Sequence, residues 1–541
     1  MKIKNILFPT LLTLGIGVSI TSCQKGDLTS NPNQGSSVSA SLLLNAITSR
    51  FAAGGGVING ESGAVAESFW VFPNLTSSAP AKYGQYHVSN YSYYQGTNSY
   101  NWSYSATQYD LLKYVIKMEQ RAAVENPSTP QANIYAGLAK FFKAYSFIWL
   151  AERVGDIPMD QAGDETNLQP SYNTQKEVYS KSLVLLDSAN TIIGNIITAQ
   201  NNGSTVVSST GDIFGLTYLQ WQKVINSYTI RVLLSLSKRA DDNADLAIKT
   251  KFTTIVNNPT KYPIFTSNSD NMVYKYNSIN AFPLFSSPYS QYANIGSTYL
   301  KLTTATADPR TFAIATPAPG QITAGKTVAD FSAYVGADPT LSLAALNTNS
   351  TAGMYSFLNF NRYYTSATGS NCEPYIYIGY PELCFNIAEG INRGWATGDA
   401  STWYNTGINA SLSLYGLTNG QKFTIGDKAG TTLGSVTIDV NTFLSNVAYK
   451  GGSTGLTQIL NQKYIAMFEN SPMEAYFNWR RTGEPELAQG GVGIGTSDYK
   501  IPHRWQYPNY ETTENAQNYQ SAIQSQFGGT DDVMQDTWLT K

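Results

Sequence analysis

Hydrophobic positions recur at helical spacing over long stretches of this chain. Ile134, Leu138, Phe141, Tyr145 and Ile148 follow at intervals of 4, 3, 4 and 3. That spacing puts them on one face of a helix over 131–151, with Pro130 where a first turn tolerates proline. Thr174-Gln175-Lys176-Glu177 has the form of a capping box, Thr174 as N-cap and Glu177 reaching back. Behind it Val178, Leu185, Ala189, Ile192 and Ile196 continue a second stripe. Asn101–Asn126 and Leu216–Ala240 read as two more long helices. Small residues such as Ala136, Gly137 and Ala139 let neighbouring helices approach closely. The pattern therefore predicts a mostly α fold of tetratricopeptide-like helix pairs, without a clean 34-residue period.

A second helical zone begins near Tyr380. Leu383, Ile387 and Ile391 step by four, and Gly394 with the polar stretch to Asp399 breaks the pattern. Tyr404, Ile408, Ser411 and Tyr415 resume it, and Gly416 supplies a left-handed stop. Gly455–Glu469 and Met473–Arg481 read as shorter helices. The body, 40–541, thus divides into helical blocks 101–258 and 380–480 and irregular regions 52–100, 259–379 and 482–541. Of these, 259–379 is full of Asn, Ser, Thr, Gly and Tyr, and 52–100 is rich in Gly and Tyr. Long irregular connections in a compact protein are usually functional.

The N-terminus lacks such periodicity. Lys2 and Lys4 precede an apolar run, Ile6 to Ile20, that is shorter than the roughly twenty residues needed to span a bilayer. It reads as a signal peptide, 1–22. The run ends in Ile20-Thr21-Ser22-Cys23, which resembles a bacterial lipobox; lipid on Cys23, with cleavage before it, is what that resemblance implies. Gln24 to Ser39 is dense in Gly, Ser, Asn and Pro and reads as a tether. As a flexible chain it would span roughly 20–25 Å. No later stretch reads as a membrane span.

Composition narrows the partners. The 35 basic and 37 acidic residues nearly cancel, which argues against nucleic acid. Only 13% of residues are charged, against about 25% in an average soluble domain. Thirty-seven tyrosines and many neutral amides suit an uncharged, hydrated partner such as a sugar. With two histidines far apart and no C-x-x-C, neither a zinc site nor a cofactor is expected. Cys384 falls inside a helical pattern and reads as a small core residue, although pairing with Cys372 is open.

Several segments together resemble one family. Asp27-Leu28-Thr29-Ser30-Asn31-Pro32-Asn33 is similar to the Asn-Pro-Asn opening of the SusD/RagB outer-membrane nutrient-binding lipoproteins. Pro170 to Tyr179 resembles its P-x-Y-D-T-Q-E-x-V-Y segment, with Asn173 in place of the usual Asp. Trp221-Gln222-Lys223, Asn226 and Arg231 resemble its W-x-K-x-x-N-S-x-x-x-R helix, and Asp308-Pro309-Arg310 its DPR. Tyr380-Pro381-Glu382-Leu383, Ala388-Glu389 and Arg393-Gly394-Trp395 resemble a further helix. Trp479-Arg480-Arg481-Thr482-Gly483 and Ile501-Pro502-His503-Arg504 resemble the closing motifs. The resemblance implies a helical-repeat scaffold that carries an oligosaccharide or peptide to a TonB-dependent, SusC-like outer-membrane channel. It implies no enzyme activity. Only Asp27 stands close after Cys23, so the acidic signal for the outer leaflet is thin.

The motif residues read as structural: Arg480, Arg481 and Glu484 as ion pairs at a helix end, Asp308 and Arg310 as a turn, and Trp102, Trp149, Trp221, Trp403 and Trp479 as core. Ligand contacts are expected from aromatics in the irregular regions. These are Trp70, Phe72, Tyr83, Tyr86, Tyr91, Tyr93 and Tyr94, then Tyr289, Tyr292, Tyr363, Tyr364, Tyr375 and Tyr377, with Asn90 and Asn361 as amide partners. Each stacking contact contributes about 0.5–1.5 kcal/mol beyond area burial. Two alternatives stand beside this: a secreted glycan-cleaving hydrolase, which needs two carboxylates across a sugar site, and a helical-repeat adaptor that binds only protein.

Overall fold

Asparagine, not proline, starts the central helix. The Asn133 side chain accepts a hydrogen bond from Tyr135 N, which sets the first turn three residues later than the hydrophobic pattern alone suggests. The computed structural model describes residues 38–51, 57–58, 61–62, 84–89, 108–129, 132–207, 212–275, 293–363, 374–468, 470–491, 500–508 and 510–541. Residues 1–37, read above as signal peptide, lipobox with Cys23 and most of the tether, lie outside them.

The body, Ala40–Lys541, opens with α1 (Ala40–Ser49), α2 (Gln108–Glu125), α3 (Ile134–Val154), α4 (Gln175–Gln200), α5 (Tyr218–Ser235) and α6 (Ile248–Val256). Successive helices pack against one another from α2 to α6, and α1 lies on α2. Ile134, Leu138, Phe141, Tyr145 and Ile148 are all buried. So are most of the other α3 side chains from Gly137 onward. A helix apolar all round belongs at the centre of a stack, and α3 lies between α2 and α4. Gly137 makes this possible: a Cβ there would come 2.8 Å from an Ile193 side-chain carbon on α4.

The capping box forms as expected. Thr174 accepts from Glu177 N, and the Glu177 carboxylate accepts from Thr174 N at 2.8 Å. Thr174→Ala is expected to cost about 1 kcal/mol, readable as a lower urea midpoint. Leu185 is only partly buried, because Leu183 and Leu186 take the core side of α4. By length and composition α4 could cross a membrane, contrary to the sequence reading. In the fold it is a packed layer between α3 and α5.

The stretch 259–379 is more regular than its composition suggests. It holds β2 (Met272–Tyr274), β3 (Ala293–Ile295), α7 (Ser297–Ala305), further short helices and β4 (Tyr375–Ile378); β1 (His87–Ser89) comes from the early Gly/Tyr-rich region. In α7 the buried positions are Ser297, Thr298, Tyr299, Leu300 and Thr303, so hydroxyl residues occupy core positions and hide the period. The second block contains α8 (Tyr380–Asn392), α9 (Ala400–Leu414), α10 (Gly452–Ala466) and α11 (Pro472–Thr482). A hairpin of β5 (Lys422–Gly426) and β6 (Thr432–Thr437) interrupts it. Gly394 and Gly416 take φ of +73° and +69°, as helix stops of this kind require. In the stretch 482–541, α12 (Ala516–Phe527) forms as well. One large core cluster runs through both helical blocks, and the described fold is mostly helical.

Candidate functional site

Two short ribbons bring distant parts of the chain together. β1 pairs antiparallel with β3, placing Ser89 opposite Ala293. β2 pairs antiparallel with β4, placing Tyr274 opposite Tyr375. One pairing thus holds residues 87–89 beside 293–295, and the other holds 272–274 beside 375–378. Segment 276–292 therefore has a ribbon strand at both flanks, and 90–107 and 364–373 have one at a single flank each.

Side chains lock this region. Gln85 donates to Ala488 O at 2.6 Å and accepts from Ala488 N at 3.0 Å and Thr298 Oγ1 at 2.7 Å. Asn294 donates to Val88 O at 3.1 Å and accepts from Ser350 Oγ at 2.9 Å. Gly296 donates to Tyr86 O at 2.8 Å, and a Cβ there would come 2.0 Å from Gln85 O. Only glycine permits this backbone approach. None of Gln85, Asn294 or Gly296 stands out in the sequence, because each acts through register rather than periodicity.

Of the expected ligand-contacting aromatics, four are corrected. Tyr86 and Tyr363 are fully buried. Tyr86 stacks on Tyr464 at 4.5 Å between centroids and donates to Tyr464 O at 2.6 Å. A ring enclosed on both faces cannot stack on a sugar. Tyr375 and Tyr377 are buried too, and the Tyr377 hydroxyl donates to Phe51 O. Asn361 is exposed, beside Gly426 and Gly430 of the hairpin. Trp70, Phe72, Tyr83, Tyr91, Tyr289 and Tyr292 lie outside the described residues, as do Tyr93, Tyr94, Tyr364, Asn90, Trp102 and Cys372. Among the described residues no aromatic side chain is exposed.

The motif residues form a charged centre instead of a ligand site. Arg231 on α5 makes a two-pronged contact with Glu382 on α8, at 2.7 and 2.5 Å, and reaches Glu474 on α11 at 3.2 Å. Burial alone would favour loss of its proton, but the two carboxylates hold it more firmly than usual. Arg481 grips Glu389 at 2.5 and 2.9 Å, and Arg393 adds a bond at 2.8 Å. Burial pushes the Glu389 carboxyl up, but Arg481 and Arg393 outweigh it and bring it down to about 2. Lys463, donating to Asn478 at 2.7 Å, is held below the usual lysine range by burial. Water-sized cavities of about 20 Å³ lie beside this cluster, lined in part by Glu152, Arg231, Ser235 and Glu474.

Asp308 and Arg310 are more than a turn. Both are fully buried, paired at 3.0 and 2.5 Å, and Arg310 also donates to Ser411 on α9 at 3.0 Å and to Gln462 on α10. Arg480 donates to His503 O and Glu152 O, so it joins backbone segments. Glu484 accepts from Thr457 Oγ1 at 3.1 Å. Asn173 explains its departure from the usual Asp. Its carbonyl accepts from Met159 N and Asp160 N while its amide donates to the Asp160 carboxylate at 3.0 Å. An aspartate would lose that last bond and face a like charge. Asn173→Asp is expected to cost about 1 kcal/mol, seen as a urea-midpoint loss relative to the unsubstituted chain that is larger at pH 7 than at pH 4. Trp149 and Trp221 are core, and Trp403 and Trp479 half-buried against it. Cys384 is a free, buried thiol, pushed up to about 12 by burial.

A cleft of about 250 Å³ opens between α4, α5 and α6, with Leu183, Leu186 and Ile255 as its floor and Asp187, Lys251 and Tyr262 among its walls. Among the described residues no group of three or more His, Cys, Asp or Glu could hold a metal ion.

A SusD-like family profile, described as starch-binding and associating with the outer membrane, matches residues 32–508. A SusD homologue from Bacteroides fragilis superposes with a TM-score of 0.75 at 27% identity, covering 93% of this chain and 100% of that one. A second from the same species gives 0.71 at 27% identity, with the same coverage. A chitin-binding protein shares the fold at a TM-score of 0.69 and 21% identity, covering 93% of this chain and 100% of that one. No curated protein sequence matches.

Proposed function

Because the chain belongs to the SusD-like family of starch-binding proteins that associate with the outer membrane, we propose that it is a surface lipoprotein, anchored through Cys23, that captures an oligosaccharide and passes it to a SusC-like TonB-dependent channel. The observation that carries this is the pair of ribbons. They hold the chain at both flanks of 276–292 and at one flank each of 90–107 and 364–373, and those segments with 63–83 carry candidate rings that include Trp70, Phe72, Tyr83, Tyr91, Tyr289 and Tyr292. Two or three stacking platforms with their hydrogen bonds contribute about 4–8 kcal/mol, or millimolar to micromolar affinity. That range suits a protein that must release its cargo.

Binding rather than hydrolysis is supported by the carboxylates. Glu382, Glu389 and Glu474 are occupied by arginines in the interior. Asp156 is raised to about 7 by burial, the direction a general acid needs, but it is 5% exposed and already accepts from Gln175 N. A carboxyl enclosed in the interior and bonded to the backbone is not presented to a glycosidic oxygen.

Calorimetry against malto-oligosaccharides and chito-oligosaccharides tests the proposal. Trp70→Ala and Tyr289→Ala are each expected to weaken binding about three- to tenfold with the melting temperature unchanged. Unaltered affinity in both would move the site, and cleavage products in the incubated glycans would replace the binder with an enzyme.

A further inference from the structure

An asparagine followed by glycine is a dipeptide in which the chain can attack its own side chain. Glycine carries no Cβ, so its nitrogen can swing against the amide carbon of the asparagine before it. The pair occurs three times, at Asn59-Gly60, Asn202-Gly203 and Asn419-Gly420. The first lies outside the described residues. The other two lie in connections, each with an exposed asparagine, so neither sequence nor exposure tells them apart. Their hydrogen bonds do.

Asn419 is locked. Its Oδ1 accepts from Val440 N at 2.9 Å and from Asn441 N at 3.4 Å, at the start of the short helix Val440–Asn446. The Gly420 N–H is also taken: it donates to Ile438 O at 2.8 Å, just beyond the open end of the β5–β6 hairpin. For Gly420 N to attack, that bond must break and the carbonyl that caps the helix must turn away. Asn202 is arranged differently. The helix α4 ends at Asn201 in the left-handed region, φ +47°. Asn202 Oδ1 accepts from Ser204 N at 2.9 Å, and its Nδ2 donates to Thr205 Oγ1 at 3.2 Å. The bond to Ser204 N folds the side chain back over the Gly203 peptide. The Gly203 N–H donates to no acceptor among the described residues.

We infer that Asn202 is a site of spontaneous deamidation and that the fold protects Asn419. Gly203 N gives its proton to solvent and bonds to Asn202 Cγ. The negative charge this puts on Oδ1 meets the Ser204 N–H already aimed at it. The Cγ–Nδ2 bond then breaks, and the nitrogen leaves as ammonia with a proton from solvent. Water, the one co-reactant, opens the resulting five-membered imide at either carbonyl and leaves aspartate or isoaspartate. The product alters the α4–α5 turn. A carboxylate appears just after α4, at the negative end of its helix dipole. Isoaspartate also adds a backbone carbon beside Gly203 and Thr205, whose carbonyls accept from Leu219 N at 3.0 Å and Tyr218 N at 2.9 Å.

Peptide mapping by mass spectrometry tests this on the full chain incubated at mildly alkaline pH, both folded and in concentrated urea. In the folded chain, isoaspartate and the mass gain of amide to acid are expected at Asn202 about tenfold faster than at Asn419, the factor set by breaking the Gly420 hydrogen bond. In urea the two sites should react at like rates, because the bonds that separate them are gone. Incubation in oxygen-18 water should label the Asn202 product, since ring opening takes one oxygen from solvent. Asn202→Gln should remove the product from that peptide, which assigns it to Asn202 rather than to Asn201. Equal rates in the folded chain, faster reaction at Asn419, no isoaspartate at Asn202, product that survives Asn202→Gln, or a tenfold difference that persists in urea would overturn the inference.

Discussion

Arg481→Met is expected to lower the unfolding free energy by about 3–5 kcal/mol, the usual cost of stripping one partner from a buried ion pair. Glu389 is fully buried and receives two bonds from Arg481, so the variant leaves a carboxylate in the interior with Arg393 as its direct partner. Arg481 also donates to Ser237, just after α5, and to Asn478 on its own helix, which extends the damage to the contact between α11 and the turn after α5. Urea denaturation at pH 7 measures the loss. The double variant Glu389→Gln with Arg481→Met should recover much of it, because no uncompensated charge remains. A double variant as unstable as the single one would mean that packing, not charge, holds these helices.

The same pair sets an acid limit. The Glu389 carboxyl stands at about 2 in the fold against an ordinary 4.5. Its folded pKa is depressed, so the native state binds fewer protons than the unfolded chain. The stabilisation is complete above about pH 4.5 and is lost as pH falls toward about 2. The difference corresponds to about 3 kcal/mol. A melting series from pH 6 to pH 2 should show a steep decline in the native protein and a shallower one in Glu389→Gln. Parallel curves would remove Glu389 as the source.

Gly296→Ala is expected to be the second large loss, about 3 kcal/mol. The new methyl would come 2.0 Å from Gln85 O and 2.9 Å from its carbonyl carbon. Backbone cannot rotate aside as a side chain can, so β1 and β3 must separate or shift. Gly394→Ala is the control. It carries the strain of φ +73° but meets no atom within 4 Å, and should cost about 1 kcal/mol. Beyond stability, hydrogen exchange at Val88 and Asn294 should accelerate in Gly296→Ala and not in Gly394→Ala. Since the β1–β3 ribbon flanks 90–107 and 276–292, which carry Tyr91, Tyr289 and Tyr292, oligosaccharide affinity should fall with it. Equal stability of the two variants would mean that the close approach at Gly296 is readily relieved.

The helical scaffold was legible because burial of one face imposes a period. Ile134, Leu138, Phe141, Tyr145 and Ile148 repeat at helical spacing and all lie in the core. The Thr174–Glu177 cap was legible because it is local, closing within four residues. Family motifs such as Trp221 to Arg231 marked the fold, but their meaning was not local. Arg231, Glu382 and Glu474 are up to 243 residues apart, and nothing in their spacing tells that they meet. In the candidate site the sequence pointed to aromatic residues without separating roles. Tyr86 and Tyr363 have the same polar, Tyr-rich neighbourhoods as Tyr91 and Tyr289, yet burial takes the first two into the core.

What the sequence determined by itself is therefore the helical architecture, the caps and stops, the family and the composition that favours an uncharged partner. Each is written in residues close together or in bulk content. Tertiary structure alone decided which charges are paired inside, which tyrosines are core, and that β1 pairs with β3 and β2 with β4. Those outcomes depend on register and burial between parts of the chain hundreds of residues apart, and side-chain chemistry carries no address for a distant partner.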